Sequence, residues 1–73
     1  MQKLMVNPKK LLHSKWTAVQ PVNKEKHFLV TEVQTDANEV PQTCTLQAVH
    51  SGAERTLHWR EFKDASRWLQ GWI

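Results

Sequence analysis

No uninterrupted apolar run in this chain exceeds three residues, as at Phe28-Leu29-Val30, and over much of its length apolar and polar positions alternate. A period of two marks a half-buried strand. Trp16-Thr17-Ala18-Val19 puts Trp16 and Ala18 on one face, with Lys15, Thr17 and Val19 on the other. His27 to Gln34, rich in Phe, Val and Thr, reads as a second strand. Thr43 to His50 sets Cys44, Leu46 and Ala48 on a common face, and Arg55 to Arg60 does the same for Leu57 and Trp59. Pro21 to Glu25, Asp36 to Pro41 and Ser51 to Glu54 carry the turn residues that separate these runs.

The spacing implies registers. If Gly52-Ala53 is a two-residue loop, Gly52 takes the first central position of a type II′ turn, which needs a positive φ. Ala48 then faces Leu57, Leu46 faces Trp59, and Gln47 meets His58 on the outer surface. The apolar faces coincide, and a one-residue slip would separate them. A loop over Pro21 to Glu25 sets Ala18 against Phe28 and Trp16 against Val30. The pattern predicts a four-stranded antiparallel meander, curved, with Trp16, Ala18, Phe28, Val30, Cys44, Leu46, Ala48, Leu57 and Trp59 on its inner face.

That face needs a cover. Asp64 is an acceptable N-cap and Gly71 stands where a C′ glycine belongs, so a helix is expected over Ala65 to Gln70. Phe62, Ala65, Trp68 or Leu69, and Trp72 then form one apolar stripe. So short a helix must dock on the sheet to persist, and Trp59 and Trp68 are expected to meet in a shared core. At the other end Asn7 is a plausible N-cap before Pro8, predicting one short helical turn with Leu11 or Leu12 packed inward. Residues 1–6 read as a flexible N-terminus and 7–73 as a single domain. The fold class is α+β: a four-stranded meander with a short C-terminal helix packed on one face. It resembles small SH3-like and chromo-like barrels that end in a helix, an analogy of architecture that carries no function.

Composition explains the choice of core residues. A 73-residue chain with 4 tryptophans and 1 cysteine cannot form an internal disulfide, and a domain of this size has little surface to bury. Large aromatic side chains supply what aliphatic ones do not. His13, His27, His50 and His58 are too widely spaced for a structural zinc cluster, so no metal or cofactor is expected. No run is long enough to span a membrane. Met1 to Met5 carries a lysine and no apolar signal core. A lone thiol without an export signal indicates the cytoplasm.

Charge is unevenly distributed. Residues 1–26 hold six lysines against Glu25, or +5; residues 27–54 hold four acids and no Lys or Arg, or −4; residues 55–73 hold four basic residues against Glu61 and Asp64, or +2. These sum to the net +3. Such asymmetry points to an anionic partner.

Two segments, NPKKLLHSKWTAVQPVNKEKHFLVTEV and WREFKDASRWLQGW, resemble a family of small tryptophan-rich bacterial proteins of unassigned function. The resemblance covers residues 7–72 and implies no catalytic residue, substrate or cofactor.

Catalysis has no sequence support. No Ser/His/Asp or Cys/His pair has recognisable context, and 2 glycines cannot build a phosphate loop. Cys44 faces inward, where a thiol acts as a small hydrophobe. The chain reads as a non-enzymatic interaction module, a monomer or weak dimer, that binds a protein partner. The candidate residues are Lys9, Lys10, Lys15, Arg60, Lys63, Arg67 and Trp72. Trp72 either completes the buried stripe or presents an aromatic to the partner. The alternative is single-stranded nucleic acid, held by cations beside stacking aromatics. Against it, Trp16 and Trp68 read as core, Tyr is absent, and no RNP, KH or helix-turn-helix pattern occurs. If the meander brings the first strand beside the last, the two groups of cations merge into one surface.

Overall fold

The computed structural model describes residues 8–73; the flexible N-terminus expected over 1–6 and the cap expected at Asn7 lie outside the described residues. Five strands form one antiparallel sheet: β1 Lys15–Val22, β2 Glu25–Thr35, β3 Pro41–Ala48, β4 Glu54–His58 and β5 Trp68–Gln70, in the order β4-β3-β2-β1-β5. The sheet thus has five strands where four were expected, with β1 to β4 forming the meander and β5 returning to β1, and without an α-helix among the described residues the fold is mostly antiparallel β, not the α+β class expected. Two 3-10 turns, Pro8–Lys10 and Trp59–Lys63, are the helical elements among the described residues. Leu11 follows the first turn into the core, and Leu12 is half exposed.

The helix expected over Ala65 to Gln70 does not form. Asp64 does start a turn: its backbone carbonyl accepts from Arg67 N and Trp68 N, both at 3.0 Å. Its side chain accepts from the Ser66 hydroxyl and backbone N–H. Those two bonds hold its carboxyl below the usual carboxylate range, with Arg67 adding a smaller pull. After that one turn the chain extends. A six-residue helix must meet the whole nucleation cost for few hydrogen bonds. The free edge of β1 offers a better alternative. Val19 N bonds to Arg67 O at 2.9 Å and Gly71 N to Lys15 O at 2.7 Å. Ala18 pairs with Trp68, Thr17 with Leu69 and Trp16 with Gln70. Trp68 is buried in either conformation, so its sequence spacing did not discriminate between them.

Both hairpin registers differ from expectation. Val22 pairs with Glu25 across a two-residue turn in which Asn23 (φ 56) and Lys24 (φ 65) are both left-handed, as in a type I′ turn. The ladder then breaks between Val22 and Thr17, so Trp16 faces Phe28 and not Val30. Pro21, which has no N–H to give, falls in that unpaired stretch. In the second hairpin Cys44 faces Leu57, Leu46 faces Arg55 and Thr43 faces His58. The loop is Val49–Gly52, closed by Gly52 N to Ala48 O and Ala48 N to Ala53 O, both 2.8 Å. Gly52 does have a positive φ, 78°, but not in a two-residue turn. The shift is even, so the apolar face survived the error. Trp59 lies past β4 as the first residue of the 3-10 turn and is still buried.

A bulge between Val30 and Glu32 exchanges the faces of β2 beyond it, so Val33, not Glu32, turns toward Cys44 and packs on the core. Bulges bend and twist a sheet, and the chain measures 36 × 34 × 16 Å. The inner face expected from the sequence is the observed core: Trp16, Ala18, Phe28, Val30, Cys44, Leu46, Ala48 and Trp59, joined by Leu11, Phe62 and Trp68 and flanked by Leu57. Trp59 and Trp68 share this cluster, but the ring contacts run Trp16–Phe62 (4.1 Å, stacked), Phe62–Trp68 (5.5 Å, edge-on) and Trp68–Phe28 (5.4 Å, edge-on).

Two expectations test this packing. Trp16 Nε1 donates to Ser14 Oγ at 2.8 Å, and Ser14 Oγ donates to Leu11 O. Ser14→Ala leaves a buried indole N–H unbonded and should lower unfolding free energy by about 1–3 kcal/mol, while Ser14→Thr, which keeps the hydroxyl, should lose less. Denaturant melts of both variants distinguish them. At Gly52 a new Cβ would meet only Gln47 Nε2 at 3.9 Å, so space is not the constraint. Gly52→Ala should still cost about 1–2 kcal/mol through its left-handed φ, and Gly52→Asn less; equal midpoints for the two would refute a backbone origin.

Candidate functional site

The sequence-derived cations fall into separate settings. Lys9 and Lys10 are exposed on the first 3-10 turn. Lys9 borders an apolar groove with Leu12, Val33, Val40 and Pro41, with Glu39 on its rim. Lys15 stands on the outer face of β1, its Nζ 4.8 Å from the ring centroid of Trp72. Arg60 and Lys63 flank Trp59, at 5.9 and 5.0 Å from its centroid. Arg67 reaches Glu61 at 3.6 Å, with both side chains substantially exposed. The merger of cations through a first strand beside the last meander strand does not arise, because β2 and β3 separate β1 from β4. It is Arg67, leading into β5, that comes beside β1.

Trp72 does not complete the buried stripe. It folds over the outer face, opposite the core. Its Nε1 donates to Phe28 O at 3.0 Å, yet 43 % of its surface stays exposed. The same tail covers Thr17, whose hydroxyl donates to Gly71 O at 2.7 Å and accepts from Ile73 N at 3.1 Å. That is why Thr17, on the outer face by alternation, is buried.

Cations held over rings are ordered by the quadrupole of the ring and by contact with its face. Lys15, Arg60 and Lys63 have no carboxylate within ion-pair distance among the described residues. Each leaves its N–H groups turned to solvent, where an anionic partner can meet them.

A fourth cation was missed in the sequence. Arg55 faces Leu46 on the inner side of the hairpin, and its Cζ lies 5.1 Å from the Phe28 ring and 5.3 Å from the Trp68 ring. It stands in a cleft of about 470 Å³ whose walls include Gln20, Glu25, Ser66 and Arg67. The signal was present: Arg55 shares its parity with Leu57 and Trp59, so alternation places it on the apolar face.

No group of three or more His, Cys, Asp or Glu side chains among the described residues is placed to hold a metal. His58 faces Thr43, not Gln47, and its Nδ1 accepts from Arg60 N at 3.2 Å to cap the 3-10 turn. No helix among the described residues is long and apolar enough to cross a membrane.

Residues 14–73 match a family model described as Tryptophan-rich protein (DUF2389). No curated protein and no solved structure matches the chain.

Cys44 is wholly enclosed by the core, and burial raises its thiol to a pKa of about 11. The neutral thiol is thus favoured by folding. Stability from this group is full below the unfolded thiol value of 9.0 and is lost as pH rises toward about 11. Between wild type and Cys44→Ala the loss over that window should differ by about 2–3 kcal/mol; parallel stability curves would show that the thiol does not titrate on unfolding.

Proposed function

We propose that this chain, which belongs to the tryptophan-rich protein family, is a non-enzymatic cytoplasmic module that binds a protein partner through a basic and aromatic surface. We read its fold as a small curled barrel of the SH3-like kind, since a meander, a 3-10 turn and a last strand laid on the first follow in that order. The observation that carries the functional reading is where the aromatics and cations stand. Trp16, Trp59 and Trp68 are 1 %, 8 % and 2 % exposed, so core packing and the cations laid over them leave no ring face open to a base. Stacking of bases on a single-strand binder needs open ring faces. What remains at the surface is Lys15 over Trp72, and Arg60 with Lys63 over the Trp59 ring. Pre-ordered cations on aromatic supports are the composition of protein hot spots, where Trp and Arg predominate.

The test is capture from native cell extract, with and without nuclease, followed by titration of the recovered partner at two salt concentrations. A partner retained after nuclease, and weakened by Lys15→Glu with Lys63→Glu at unchanged melting temperature, is the expected result. Surface changes of this kind shift stability by about 0.5 kcal/mol at most. Capture abolished by nuclease, with a steep log–log salt dependence of oligonucleotide binding, would move the reading to nucleic acid.

A further inference from the structure

We propose that the cleft bounded by the first hairpin, Arg55 of β4 and the start of β5 is a carboxylate-binding site, in which Arg55 grips an Asp or Glu side chain of an acidic peptide segment. The inference rests on the protein-binding reading and names the partner's chemistry at a site outside the residues assigned to it above.

Arg55 is the strongest candidate because of what it lacks. Its guanidinium lies over two rings, Phe28 and Trp68, and no carboxylate or hydrogen-bond acceptor is in reach of it among the described residues. Ring contact uses the faces of a guanidinium and leaves its edge, with five donors in a fixed fork. That fork matches a carboxylate, and the apolar support beneath it reduces competition from water. The pocket's size, about 470 Å³, falls within the ordinary range for bound small molecules. The opposite wall adds Arg67 and the Gln20 amide, while Ser66 is engaged with Asp64.

Glu25 decides between kinds of anion. It lines the same cleft, accepting a hydrogen bond from Ser51. A strand of phosphates would bring repeated negative charge against it. A single carboxylate meets the repulsion of Glu25 once, offset by Arg55 and Arg67 on the walls of the cleft. The cleft therefore favours a peptide over a nucleic acid.

The experiment is an NMR titration of the full chain with N-acetyl-Gly-Gly-Glu-Gly-Gly amide, following the Trp68 indole and Arg55 Nε–H signals. The same peptide with Gln in place of Glu and a deoxythymidine oligonucleotide serve as comparison probes. The acidic peptide should shift both signals and the glutamine peptide neither. Arg55→Gln should weaken binding by about tenfold or more, the effect of losing a charge-assisted bond, while Lys24→Gln, removing the same charge from the exposed β1–β2 turn, should leave it nearly unchanged. Arg55→Lys should bind at an intermediate level, since the charge remains without the fork. Glu25→Gln should tighten binding by about two- to threefold, a gain that misfolding does not produce. Equal losses in Arg55→Gln and Lys24→Gln, no gain in Glu25→Gln, stronger shifts with the oligonucleotide, or no shift with the acidic peptide each overturn the site. A nuclease-resistant partner captured from extract alongside any of these results would leave the protein-binding reading standing and remove only the cleft.

Discussion

Trp16 has to meet two demands at once: its ring must be enclosed, and its N–H must keep a partner. The chain meets the first by stacking Phe62 on it, 15° from parallel, and the second with Ser14, which is itself tied to Leu11. The elements around it follow from these two contacts. Phe62 can reach the indole only from the 3-10 turn after β4, which lays that turn across the sheet. Leu11 is drawn in from the N-terminal side. Phe62 in turn brings Trp68 against Phe28, and with it β5 onto β1. A hydroxyl two residues from the indole thus helps to position segments far apart in sequence. Buried polar groups are costly unpaired, and here the pairing is short-range while the packing is long-range.

The sequence revealed the inner face more fully than the geometry around it. Alternation identified each strand of the meander and all nine inner residues, because burial on one face of a pleat imposes period two whatever the register. Register was not legible to the same degree. Both hairpins were mispaired by even numbers of residues, an error to which side-chain parity is blind. The type I′ turn at Asn23-Lys24 was hidden because Lys24 is an uncommon choice for a left-handed position. The bulge at Thr31 left no signature that local alternation can detect.

The C-terminal segment shows a different limit. Asp64, Trp68 and Gly71 satisfy a helix template, and Asp64 with Gly71 also fit a turn and a bend. What tipped the balance was non-local: the unpaired edge of β1, which only tertiary structure presents. The same non-locality governed the candidate surface. Lys15, Arg60 and Lys63 were legible as exposed basic residues and Trp72 was left between core and surface, but the pairing of each cation with a particular ring depended on the fold. Arg55 was overlooked because an arginine on an apolar face reads as an exception, when its flat guanidinium in fact suits the edge of an aromatic core.

The return of the last strand to the first has a consequence for how the molecule reaches its structure. Residues 68–73 pair with, or fold over, residues 15–18 and 27–28. Until they arrive, one edge of β1 lacks hydrogen-bond partners and the aromatic chain lacks its Trp68 link. Contacts that close nearly the whole length of a chain slow folding, because the loop entropy must be met before they form. On the ribosome the meander emerges while its core is still open, and completion waits for residues 68–73 to clear the exit tunnel. Until then the uncovered edge of β1 is a template for pairing with other chains, so the closing strand also ends a period of exposure to aggregation.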